Sequence, residues 1–193
     1  MNRTRNMMGA GLFTALIILS SYVTIPLGPV PVTLQTLMVL LAGFLLGPVW
    51  GPASVLVWMV LGCVGLPVFN QGQAGIVMLA GPTGGFILSF PVVAWLAGKV
   101  SRGSWAGDSL WKNFLALAGV TVVCYIIGAI GFKLSFAFFL HKPMTWEKTL
   151  ALSVAPFLPL DIVKALITAF LGTRIRRALK AGGMWELRRS IDR

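Results

Sequence analysis

Leu150–Gly172, LALSVAPFLPLDIVKALITAFLG, is the stretch that most restricts what this chain can become. Its 23 residues are almost wholly apolar, enough for a helix to cross a hydrocarbon layer about 30 Å thick. Yet Asp161 and Lys164 stand well inside it. Burying one such charge in a bilayer costs roughly 2.5–3.5 kcal/mol, and ionisable groups at that depth usually mark function. Residues three apart lie about 60° apart around a helix, so Asp161 and Lys164 share one face. Pro156 and Pro159 lie just upstream. Neither has an N–H, so the carbonyls of Leu152 and Ala155 lose their helical donors. The spacing predicts a helix that breaks or restarts near Pro159. Asp161 and Lys164 then fall in the first turns of a half-helix, where transporter sites often form. The plain alternative is an ion pair that only neutralises itself against neighbouring helices.

The rest of the chain agrees with a membrane setting. Of 193 residues, 57% are apolar and 11% charged, against about 25% charged in a soluble domain. The predicted fold class is an all-α, compact six-transmembrane-helix protein. It forms a single domain over 1–193: a short N-terminus at 1–6, a helix bundle at 7–172 and a basic tail at 173–193. The six apolar spans are Met7–Thr24, Val32–Gly47, Ala53–Phe69, Gly84–Gly98, Asn113–Phe132 and Leu150–Gly172. The first superficially resembles a signal peptide but has no clear small-x-small cleavage site, so it is read as a membrane helix. Short, Gly/Pro-interrupted spans point to a substrate cavity more than to a plain bundle.

Basic residues set the orientation. With the N-terminus in the cytoplasm, Arg3, Arg5, Lys99, Arg102, Lys112 and the seven basic residues from Arg174 to Arg193 all fall inside. Lys133, Lys142 and Lys148 fall at or near the outside. The net charge of +11 is therefore a cytoplasmic collar facing anionic lipid headgroups. No basic groove interleaved with aromatics is present, so nucleic acid is not a partner. Cys63 and Cys124 both lie in apolar spans and read as small hydrophobes. One histidine and five acidic residues supply no catalytic set, metal cluster or cofactor motif. There is also no GxxxxGK[ST] nucleotide loop.

Two outer connections are candidate lids. Ile25–Pro31, IPLGPVP, is stiff and extended by its prolines. Val68–Gly81 is Gly-rich and carries the neutral amides Asn70, Gln71 and Gln73. Thr33 and Gln35 open the second span, and the Gln35 amide suits a ureido or amide group of a ligand, or else a neighbouring helix. Gly81–Phe86, GPTGGF, opens the fourth span. There Thr83 is a candidate helix cap, and Gly84 permits close backbone approach. Gly43, Gly47 and Gly51 form one small-residue row, and Gly11 with Ala15 begin another.

Taken in order, IPLGPVPVTLQTL (Ile25–Leu37), LAGFLLGP (Leu41–Pro48), LGCVGLPVF (Leu61–Phe69), GPTGGF and PFLPLDIVKA (Pro156–Ala165) make the chain resemble the BioY family. These are the biotin-binding S components of energy-coupling factor transporters. The resemblance implies an outward-facing biotin pocket and no enzymatic activity. It also implies a transmembrane coupling protein and two cytoplasmic ATPases as partners, in a prokaryotic cell membrane. The expected ligand-binding set is Thr33, Gln35, Asn70, Thr83, Gly84, Phe86, Asp161 and Lys164, of which Gln35, Thr83, Gly84, Asp161 and Lys164 match the family's motifs. Gly11 and Ala15 match the row presented to the coupling protein. The family often has Tyr where Phe86 stands and Gly where Leu160 stands. A solitary facilitator or proton-coupled carrier of biotin or lipoate, an intramembrane enzyme and a structural scaffold are the rival readings.

Overall fold

A computed structural model describes residues 2–26, 29–105 and 107–182. It is built almost entirely of helices: α1 (Asn2–Tyr22), α2 (Gln35–Cys63), α3 (Val77–Ala80), α4 (Gly84–Arg102), α5 (Leu110–Phe138), α6 (Trp146–Ser153) and α7 (Leu158–Ala181). A two-stranded antiparallel ribbon, β1 (Thr24–Ile25) with β2 (Val32–Thr33), joins α1 to α2. Among the described residues, α4 and α5 are each long and apolar enough to cross a membrane, and so is α2 by total length and composition. The pair α6–α7, bent by 51°, makes a fourth candidate.

The expected second and third spans form one continuous run of helix with a reversal inside it. Gly47 has φ +88° and ψ −177°, which only glycine adopts freely. A Cβ added at Gly51 would lie 2.6 Å from Gly43 Cα. On a straight helix those residues would be about 12 Å apart, so the chain folds back on itself at Gly47. The turn therefore comes at Gly47–Pro48 and needs no separate connection before Ala53. Pro48 opens the second arm, a position where its missing N–H costs nothing.

The small residues are spent on helix contacts. A Cβ at Gly43 would overlap the Ala94 carbonyl, and one at Gly98 would lie 2.5 Å from the Gly47–Pro48 backbone. Gly85 meets Gly131 in the same way across α4 and α5, at 2.7 Å from its Cα. In lipid, where apolar burial between helices gains little, such close backbone approach supplies the packing. Trp58, Phe44, Phe90, Val93 and Leu117 fill the space between α2, α4 and α5. At the basic end of the bundle, Arg176 donates from Nη1 to the Ser101 carbonyl at 2.9 Å and pairs with Asp108 at 3.2 Å. The expected tail at 173–193 thus begins as a continuation of α7. Its last part, with Trp185, lies outside the described residues.

The break in the sixth span falls at Val154–Phe157, slightly ahead of the expected point. Pro159 is the second residue of α7, inside a first turn whose N–H groups have no helical partners. Leu158 N–H donates to the Val154 carbonyl at 3.3 Å and Asp161 N–H to Phe157 at 2.9 Å, bridging the bend. Asp161 stands in the first turn of α7.

Candidate functional site

The site lies at the end of the bundle away from Gly47. Here the ribbon, the loop from Phe69 to Thr83 and the start of α7 surround a cavity. About 630 Å³ in it is not occupied by atoms, counting the part open to the surroundings.

Its charged centre is built by the bend. Starting α7 at Leu158 turns Asp161 and Lys164 into the cavity, where each is only 5% exposed. Lys164 Nζ donates to Asp161 Oδ1 at 2.6 Å. Tyr125, from the middle of α5, donates its hydroxyl to Asp161 Oδ2 at 2.7 Å. Both carboxylate oxygens therefore have a protein donor. The ammonium, a three-donor group, keeps N–H capacity for something else. A buried pair held this way is neutral as a unit, and breaking it would leave a bare charge at a typical cost of roughly 3–5 kcal/mol.

Around this centre the wall is aromatic. Trp58 lies edge-on to Phe69 with centroids 5.1 Å apart, and its indole N–H donates to the Val68 carbonyl at 2.9 Å. Phe90 is 6.0 Å from Trp58, and Phe86 is 6.3 Å from Phe157. All five rings line the cavity. At the start of α2, Thr33 Oγ1 accepts from the Gln35 N–H at 3.2 Å and donates to Gln35 Oε1 at 3.3 Å. Gln35 is 5% exposed, and its Nε2 has no hydrogen-bond partner.

Of the residues singled out from sequence, Thr33, Gln35, Asn70, Thr83, Phe86, Asp161 and Lys164 all border the cavity. Gly84 does not, because it packs against Leu79 of α3, whose carbonyl an added Cβ would overlap. Thr83 occupies the cap position of α4, but its side chain makes no capping bond. Its backbone is already helical there, φ −84° and ψ −12°, whereas a side-chain cap normally requires an extended residue. Gly11 and Ala15 lie on an exposed face of α1, far from the cavity in sequence and absent from its lining. Sequence reasoning passed over Tyr125, Trp58, Phe69 and Phe157. The clue to Tyr125 was available: a tyrosine midway along an apolar span must find a partner for its hydroxyl, and Asp161 is the one acidic residue within an apolar span.

Outside the cavity a second hollow opens between the ribbon and the Asn70–Thr83 loop, lined by Pro26, Pro29, Gln71, Gln73 and Pro82 among others. Pro31, Asn70, Met78 and Thr83 border both spaces, so the outer hollow is a vestibule to the inner one. Thr24 Oγ1 donates to Asn70 Oδ1 at 2.7 Å, and the Tyr22 hydroxyl donates to the Pro67 carbonyl. These bonds tie the ribbon's root to the loop and to the segment just before it.

The BioY family model matches residues 1–181. The chain belongs to the BioY family. It is 34% identical over 173 residues to the biotin transporter BioY of Thermotoga maritima, covering 90% of this chain and 96% of that one. It is 36% identical over 165 residues to a probable biotin transporter BioY of Pyrococcus horikoshii, covering 86% and 92%. A crystal structure of the S component for biotin from an energy-coupling factor ABC transporter superposes with a TM-score of 0.79 and 27% identity, over 91% of this chain and 93% of that chain.

Proposed function

We propose that this BioY chain captures biotin at the outer face of a prokaryotic cell membrane and is the S component of an energy-coupling factor transporter. The observation that carries this is the Asp161–Lys164–Tyr125 set, buried and mutually bonded, facing an aromatic-walled cavity that opens to a vestibule. Biotin's ureido bicycle and valeryl chain need this mixture of few polar groups and apolar wall. The function is binding and uptake, not catalysis.

Six membrane spans with both termini cytoplasmic fit the charge distribution. The ribbon, the Asn70–Thr83 loop and Lys133 then lie outside, and Lys99, Arg102, Lys112 and Arg176 inside. Without a nucleotide loop of its own, the chain depends on a coupling protein and two ATPases for translocation. Gly11 and Ala15 are exposed on α1, and nothing lies within 4 Å of a Cβ added at Gly11. That open face suits the coupling protein. A bulky residue at Ala15 should abolish uptake, measured in cells, and leave biotin binding by the purified chain intact.

The site itself is tested by biotin titration of the purified chain and of its Asp161→Asn and Lys164→Ala variants. Both variants should lose most of their affinity, in keeping with roughly 3–5 kcal/mol for an orphaned buried charge. Binding as tight as wild type in both would discard this site. Ligand recovered from the wild-type protein should be chemically unchanged biotin, and a modified product would point to catalysis instead.

A further inference from the structure

We propose that the corner where α4 meets α5 seats an anionic phospholipid. Lys112 and Arg177 hold its phosphate headgroup beside Trp105, and an acyl chain runs along α5 from Trp111 toward Ile126. This rests on α4 and α5 crossing a membrane, whatever ligand the cavity takes.

The charge at this corner is uncompensated. Asp108 is the one acidic residue at the basic end among the described residues, and it is engaged by the buried Arg176, 3.2 Å away. Arg177 reaches the same connection but bonds a neutral group there: its Nη2 donates to the Asp108 carbonyl at 2.7 Å. Lys112 Nζ lies over the Trp105 ring, 5.7 Å from its centroid. The face of an indole attracts an ammonium and leaves its three N–H donors available. Both cations are exposed, so each keeps donors for an anion arriving from outside.

Other basic residues of this end are placed differently. Lys99 lies over Trp95 and Arg174 over Phe170, each one turn along its own helix. At the α4–α5 connection, by contrast, cations from two helices, Lys112 of α5 and Arg177 of α7, are brought to one short loop.

The apolar surroundings decide which anion fits. Trp105 is 64% exposed and Trp111 67%. Indoles so placed at the end of a membrane span belong at headgroup depth, ring toward hydrocarbon and N–H toward water. From Trp111 the exposed residues Leu115, Val122 and Ile126 follow at spacings of four, seven and four, which is one face of a helix. That stripe accepts hydrocarbon. A soluble phosphate would use the cations and leave the stripe idle, whereas a phospholipid covers both at once.

The test is native mass spectrometry of the full-length protein from a neutral detergent. Phosphatidylglycerol, phosphatidylcholine with the same chains, and glycerol phosphate are offered in turn. Wild type should retain phosphatidylglycerol roughly tenfold or more over phosphatidylcholine and should not retain glycerol phosphate. Lys112→Gln combined with Arg177→Gln should weaken phosphatidylglycerol by roughly 10- to 30-fold, about fivefold for each basic residue near a lipid surface. Lys112→Arg combined with Arg177→Lys keeps the charge and should stay within roughly threefold of wild type, a rescue that misfolding would not show. Removing two cations at the other end of the bundle, by Lys142→Gln with Lys148→Gln, should change nothing. Equal retention of the two lipids, or an equal loss from the Lys142 and Lys148 changes, would reduce the corner to diffuse charge and overturn the inference. Glycerol phosphate held as tightly as the lipid would make it a soluble-anion site, with the same result. A Lys112→Gln, Arg177→Gln protein that retains the lipid like wild type yet loses uptake in cells would assign the two cations to a protein partner instead.

Discussion

At the scale of single residues, the proposed site rests on one carboxylate, that of Asp161, bonded by side chains from two helices. Asp161 could not stand alone in this setting, and Lys164 alone would leave one of its oxygens bare. Tyr125 supplies the second bond at 2.7 Å. Tyr125→Phe keeps the ring and removes only that bond. A hydrogen bond to a charged group contributes about 1.5–3 kcal/mol, so biotin affinity should fall by roughly tenfold or more. Helical content by circular dichroism should stay unchanged. Affinity equal to wild type would mean that Tyr125 does not hold the carboxylate for the ligand. The pair Asp161 and Lys164 was legible in the sequence because charge in an apolar run stands out. Tyr125 was not, since a tyrosine in such a run is compatible with many partners and only the packing of α5 on α7 picks one.

At the scale of elements, glycine position separates packing from open surface. Gly98 is pressed against the Gly47–Pro48 backbone, where an added Cβ would lie 2.5 Å from main-chain atoms. Gly98→Ala should therefore destabilise by about 1–3 kcal/mol through overpacking, lowering the midpoint of thermal unfolding in detergent. Gly11→Ala meets nothing within 4 Å. It should leave the midpoint unchanged or raise it, since alanine is favoured over glycine in a helix by up to about 1 kcal/mol. Equal effects from the two changes would contradict this assignment of surfaces. The bend between α6 and α7 is the second decisive element. Pro156 and Pro159 announced it, because each removes a donor from the helical ladder. Its place at Val154–Phe157 depends on which carbonyls the restarted helix can reach.

At the scale of the whole molecule, helices packed through glycines form a close-packed base, while the ribbon and the Asn70–Thr83 loop frame the opening. The ribbon's root is tied to that loop through Thr24–Asn70 and to the segment just before it through Tyr22–Pro67. A ligand lying between them joins α2, α4, α5 and α7 at once, since each contributes to the cavity. Biotin at a hundred times its dissociation constant should stabilise the fold by about 2.7 kcal/mol. A thermal-shift titration reads this directly, and the shift should be absent in Asp161→Asn. A biotin-dependent shift of wild-type size in that variant would place the ligand elsewhere.

The sequence by itself determined that the chain is helical and lipid-embedded, which end is basic, and which two charges lie out of place. Each follows from local chemistry: long apolar runs, excess Lys and Arg, and a buried acid beside a buried base. It could also show where helices must stop, since proline and glycine act on their own few residues of backbone. The tertiary structure alone decided that Gly47 reverses α2, that Gly84 serves packing instead of bordering the cavity, and that Tyr125, Trp58, Phe69 and Phe157 line the same cavity as Asp161 and Lys164. Those facts depend on residues far apart in the chain meeting in space, and neither composition nor periodicity records which distant side chains will touch.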